Sequence, residues 1–185
     1  MRGNALLFHT PSSNLSPSKG GEEQGGKPGS EIDMVHGRVR KLWALLWMQL
    51  SGRSLGGRTA ARFAAAAYPP FYARVALSKL TPKGYISPKA TIHHDDLRCG
   101  HHIFIDDRVL IYQDSQGGPV ELGAAVHLHR DTTIQTGQGG RVAMGDETHV
   151  QPRCQFSAYK APIHIGRRVE IAPFCAFYSY DHGIR

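Results

Sequence analysis

From Cys99 onward one pattern of apolar and polar positions comes round four times: CGHHIFIDDRVLI from Cys99, LGAAVHLHRDTTI from Leu122, MGDETHVQPRCQF from Met144 and IGRRVEIAPFCAF from Ile165. Each line reads as hexads with a large apolar residue first and a small or β-branched residue fifth, as in Leu122/Val126, Leu128/Thr132 and Ile134. A period of six, three hexads to a turn, predicts a mainly β solenoid of triangular cross-section. In an extended strand residues i and i+2 share a face, so Val120 with Leu122 and Val126 with Leu128 point one way while their neighbours stay polar. One coil cannot bury its apolar side alone; it needs the coils above and below it. Gly100, Gly123, Gly145 and Gly166 each follow the first inward residue and keep the four lines in register.

The same phase places the cysteines. Cys154 and Cys175 fall at one small inward position of successive coils, continuing a column through Val109 and Thr132, and Cys99 opens a hexad and is expected to face inward too. This spacing suggests neither a disulfide framework nor a metal-binding pair. His127 and His149 share an outward position in successive coils, with His129 one strand step away; a Zn²⁺ between coils is geometrically conceivable, but no metal is expected. The pairs His93-His94 and His101-His102 read as solvated.

Ahead of the solenoid, over residues 34–50, Val35, Val39, Leu42, Leu46 and Leu50 recur at helical spacing, widened by Trp43 and Trp47, with Arg38, Arg40 and Lys41 close by. The Ala-rich run RTAARFAAAAY from Arg58 predicts a second helix stopped by Pro69 and Pro70, and residues 71–80 a third helical stretch. These short helices are expected to cap the open N-terminal end of the solenoid. The alternative is contact with a membrane surface through residues 34–50. The first 33 residues, with the tract SPSKGGEEQGGKPGS, carry too little apolar surface to offset chain ordering and read as a disordered tail, with Met34 as the expected biological start. The domain reading is therefore 1–33 tail, 34–84 helical region and 85–185 solenoid.

Charge is divided unevenly. Residues 1–83 hold 12 Lys/Arg against 4 Asp/Glu, while residues 84–185 hold 10 against 11. No groove-reading module or aromatic-interleaved basic patch accompanies the basic half, so no nucleic-acid partner is expected. No apolar run approaches the roughly 18–20 residues of a membrane span.

Coil starts at 99, 122, 144 and 165 leave five, four and three residues beyond three hexads, all after the third hexad. The extra residues predict loops stacked along one edge: 113–119, 135–141, 157–162 and 179–184.

From YISPKATI at Tyr85 onward, the repeat resembles the hexapeptide-repeat acyltransferases, and the run IAPFCAFYSYDHGI from Ile171 is most similar to the sugar and polysaccharide O-acetyltransferases of the maltose-acetyltransferase and capsule-biosynthesis type. The resemblance implies a left-handed parallel β-helix, acetyl-CoA as co-substrate with no resident cofactor, a sugar or glycan acceptor, a homotrimer and a cytoplasmic protein, conceivably peripheral at the inner membrane face. It also implies that His182, in the loop YSYDHGI, is the general base, with Asp181 and Tyr180 binding substrate. An imidazole with its ordinary pKa near 6.5 suits proton removal from a hydroxyl at neutral pH. The family's later CoA-binding hexads have no counterpart before Arg185, so a β-helix incomplete at its C-terminus is expected. The alternative is a non-catalytic scaffold or trimerisation module.

Overall fold

A computed structural model describes residues 31–180. Residues 1–30, and with them most of the expected tail, lie outside the described residues, as do Asp181 and His182.

Fourteen short strands wind into a parallel β-solenoid of about four turns. The first coil holds β1 (Tyr85–Ile86), β2 (Thr91–His93) and β3 (Leu97–Cys99). Below it lie β4 (Phe104–Ile105), β5 (Leu110–Gln113) and β6 (Val120–Leu122). The third coil is β7 (His127–Leu128), β8 (Thr133–Gly137) and β9 (Val142–Met144), and the fourth is β10 (His149–Val150), β11 (Gln155–Tyr159) and β12 (Ile163–Ile165). Two strands of a further coil follow, β13 (Glu170–Ile171) and β14 (Ala176–Tyr178). Every third strand pairs in parallel, giving three sheets: β1-β4-β7-β10-β13, β2-β5-β8-β11-β14 and β3-β6-β9-β12.

The register stacks like on like. Leu128 pairs with Val150 and Val150 with Ile171; Ile134 pairs with Phe156 and Phe156 with Phe177. These side chains form one core running down the axis, and the Phe156 and Phe177 rings stack at 4.9 Å. Val109, Thr132 and Cys154 are buried in the expected column and Cys175 is half-buried at its lower end. The glycine column has a steric cause: a Cβ on Gly100 would lie 2.5 Å from the Ala124 nitrogen, so consecutive coils approach there only without side chains.

One expectation is qualified and one fails here. Cys99 keeps the inward register, opposite buried Leu122 and two residues after buried Leu97, but it is exposed because among the described residues no strand stacks above β3. His94 is buried rather than solvated: its Nδ1 accepts a hydrogen bond from the Asp96 N–H at 3.2 Å, leaving Nε2 to donate to Thr136 Oγ1 at 3.0 Å.

Before the solenoid come α1 (Glu31–Leu50), α2 (Leu55–Ala66), a 3₁₀ turn (Phe71–Arg74) and α3 (Val75–Ser78). Ser54 caps α2 by accepting from the Gly57 N–H at 3.1 Å. The helices cover the top of the first sheet from outside. Ala44 and Met48 of α1, Ala61, Ala64 and Ala65 of α2, and Leu77 of α3 enclose Tyr85 and Phe104, the outward residues of β1 and β4. Towards the mouth of the solenoid, the Arg58 guanidinium donates to the Pro88 and Ala90 carbonyls, both at 2.7 Å. The helical region is therefore a cover over one outer face that also reaches the open end. Its anchor is Asp107, almost fully buried, which takes Arg74 at 3.3 Å and Lys89 at 3.6 Å and accepts from Ser87.

Candidate functional site at the looped edge

The extra residues of each coil fall where the second sheet turns towards the third, as the spacing predicts, but they are not all loop. β8 continues to Gly137 and β11 to Tyr159, so residues 135–137 and 157–159 are strand. Pairing explains why: Gln135, Thr136 and Gly137 lie opposite Ser157, Ala158 and Tyr159, and a parallel ladder that can add bonds does so. Only residues 138–141 and 160–162 remain as connections.

The extended strands build a polar, aromatic outer face. His93, Tyr112, Gln135, Ser157 and Tyr178 occupy one outward column, joined through successive pairings. Ser157 Oγ donates to Gln135 Oε1 at 3.0 Å. Two residues further along, Gly137 leaves room for the Tyr159 ring, which a Cβ there would meet at 2.7 Å. Tyr180 stands beside Tyr159 with ring centroids 5.6 Å apart, and Tyr178 lies 5.9 Å from Tyr180. Burial raises the Tyr112 phenol above its ordinary value, helped by Asp114 and by Tyr180.

Ser179 fixes the backbone at this point. Its hydroxyl accepts from the Tyr159 N–H at 3.0 Å and donates to the Ala161 carbonyl at 2.6 Å, while its own N–H donates to the Ser157 carbonyl at 3.1 Å. The chain thus reaches Tyr180 on this face, two residues before His182 in sequence. Of the three site residues expected from sequence, Tyr180 is placed among other tyrosines; Asp181 and His182 lie outside the described residues. Tyr112, Gln135, Ser157 and Tyr159 were not expected in a site. The available signal was their hexad phase: Tyr112, Gln135, Ser157 and Tyr178 each follow an inward residue, Ile111, Ile134, Phe156 or Phe177.

A second cluster lies on the first sheet, away from this edge. The outward column there runs Tyr85, Phe104, His127, His149, Glu170, from fully buried at the top to exposed at the bottom. The His127 and His149 rings stack 4.3 Å apart and 3° from parallel, and His149 Nδ1 lies 3.2 Å from Glu170. Burial depresses His127 to about 4, with His149, His129 and Lys79 adding repulsion to its charged form. His129, also depressed chiefly by burial, packs 5.0 Å from the Tyr72 ring of the 3₁₀ turn. His127, buried and held neutral between the Phe104 and His149 rings, is a packing element. Among the described residues no three His, Cys, Asp or Glu side chains are grouped so as to hold a metal ion.

Compared with family models, curated proteins and solved structures, the chain matches none.

Proposed function

We propose that this protein is an acyltransferase that moves an acetyl group from acetyl-CoA to a hydroxyl of a sugar or glycan, and that the acceptor lies on the tyrosine-lined looped edge. The observation that carries this reading is the tyrosine face itself. Tyr159, Tyr178 and Tyr180 present flat apolar rings with polar tips beside Gln135, whose side chain the buried Ser157 hydroxyl holds in place, the combination that suits a ring of C–H and O–H groups, and the face adjoins the DHG segment in sequence.

In the proposed reaction the acceptor oxygen attacks the thioester carbonyl as His182 takes its proton. The new C–O bond forms, the C–S bond breaks, and the imidazolium returns the proton to the departing CoA thiolate. Tyr180 and Asp181 orient the acceptor. The donor is a substrate, and a CoA thioester places the work in the cytoplasm. A homotrimer, in which neighbouring subunits complete the donor groove, belongs to the same proposal.

The test is release of free CoA thiol from acetyl-CoA in the presence of mono- and oligosaccharide acceptors. His182→Ala should lower kcat by about 10²–10⁴-fold, the range for losing positioned proton transfer. Tyr159→Ala and Tyr178→Ala should raise the acceptor KM and leave that for acetyl-CoA unchanged, whereas His127→Ala should leave turnover near that of the parent. A folded protein that releases no thiol with any acceptor would instead be a non-catalytic solenoid scaffold.

A further inference from the structure

We infer that the exposed face of α1 is a docking surface for an anionic lipid bilayer. The sequence leaves open which side of α1 packs inward; the structure decides it. Ala44 and Met48 are fully buried against the rest of the molecule, while Val35, Val39, Leu42, Trp43, Leu46 and Leu50 point away from it, from 44% exposed at Trp43 to 66% at Leu42. At about 100° per residue these six fall within an arc of roughly 100°, a continuous apolar stripe that Trp43 borders on the α2 side. The stripe continues onto α2, where Phe63 is half exposed and its carbonyl accepts from the Trp43 indole N–H at 3.0 Å.

Charge selects the occupant. Residues 31–83 hold nine Lys/Arg against two acidic residues, Glu31 and Asp33 in the first turn of α1, whereas the solenoid is close to neutral. Arg38 borders the stripe on α1, and the exposed Arg62 adjoins Phe63 on α2. A second copy of the chain would bring the same nine cations together, with only Glu31 and Asp33 of each helical region to pair with them. An anionic lipid surface accepts the cations and the apolar stripe together, with Trp43 at the headgroup level. No described helix is long and apolar enough to cross a membrane, so α1 lies along the surface. This inference is independent of the transferase reading.

The experiment is co-sedimentation of the full chain with phosphatidylcholine vesicles, with and without about 30% phosphatidylserine, together with its sedimentation velocity in solution. Binding should require phosphatidylserine and weaken with salt. Because the leucines are exposed, the double substitution Leu42→Asp, Leu46→Asp should leave the circular dichroism unchanged and reduce vesicle binding more than about tenfold. Arg38→Gln with Arg62→Gln, both exposed beside the stripe, should cost roughly fivefold per charge, the factor for one basic residue near an anionic surface. Equal binding with and without phosphatidylserine, or no binding to either, overturns the proposal. So does an oligomer of the parent chain that the aspartate pair merely dissociates; that result would assign the stripe to a second copy.

Discussion

In the solenoid core the large apolar side chains are buried, whereas in α1 most of them, Val35, Val39, Leu42, Leu46 and Leu50, are exposed and only Ala44 and Met48 are fully inside. Phe156, Ile134 and Leu128 have no accessible surface, while Leu42, Leu46 and Leu50 are mostly exposed and Ala44 has none. The two regions meet different partners. Each coil stacks on a coil of the same pattern, so a large residue always faces another large residue across a strand spacing of about 4.8 Å. α1 instead meets α2, whose contact face is Gly57, Ala60, Ala61, Ala64 and Ala65. Against such a surface Ala44 and the unbranched Met48 fit inside, Trp47 stacks on Phe63 at the flank, and the Val and Leu stripe is left on the other side. Apolar periodicity reports that a helix has a preferred face; the partner decides which face is inside.

The largest expected effect separates the regions directly. Val150→Asp should abolish the folded state, because an unpaired buried charge costs several kcal/mol against a typical stability of about 5–15 kcal/mol. Leu46→Asp, an equally drastic change in hydropathy, should shift the urea midpoint by no more than a typical surface substitution, about 0.5 kcal/mol. If the two variants unfold alike, α1 packs through its large residues and the contrast between the regions is wrong.

The seam between the regions is tested by pH. His127 is buried neutral, with a pKa lowered to about 4 from an ordinary 6.5. Between those values the unfolded chain binds the proton and the folded chain does not, so stability is full above about pH 6.5 and is lost as the pH falls towards 4. At about 1.4 kcal/mol per pKa unit the loss has a ceiling of about 3 kcal/mol. His94 and His129 are lowered in the same direction and add to the acid limb. His127→Phe extends the aromatic column below Phe104 and should flatten much of that limb in denaturation curves taken from pH 7 to pH 4. An unchanged acid limb would mean that the helical cover does not keep His127 from water.

The contrast also explains what could be read from sequence. The three sheets, the inward columns and the position of the looped edge follow from a repeat in which every coil is its neighbour's template. Cys99 follows that logic in register but is exposed, because among the described residues its coil has a neighbour on one side only. His94 escapes it because its partner, Thr136, lies 42 residues away, beyond any local pattern. The tyrosine face was hidden for a similar reason: Tyr159 meets Tyr180, and Tyr180 meets Tyr178, only when strands longer than the hexad repeat are laid side by side. Tyr180 was legible as part of the DHG segment, whereas Gln135 and Ser157 carried no signal beyond their phase.

Two glycines give the finest test, with opposite signs. Gly37 lies within α1, and a Cβ there would meet nothing within 4 Å; Gly57 lies within α2, where a Cβ would sit 2.5 Å from the Gly52 nitrogen. Alanine is the better helix former by about 1 kcal/mol, and it also restricts the unfolded chain. Gly37→Ala should therefore stabilise the helical region by about 0.5–1 kcal/mol. At Gly57 the same gain is outweighed, because backbone cannot retreat as a flexible side chain can, and overpacking of this kind costs about 1–3 kcal/mol. Amide exchange resolves where each effect lands. If the cover opens independently of the solenoid, Gly57→Ala will loosen α1 and α2 while Ile111 and Ile134 keep their protection. If protection falls in step across both regions, the helices and the solenoid unfold as one unit, and their difference is one of packing alone.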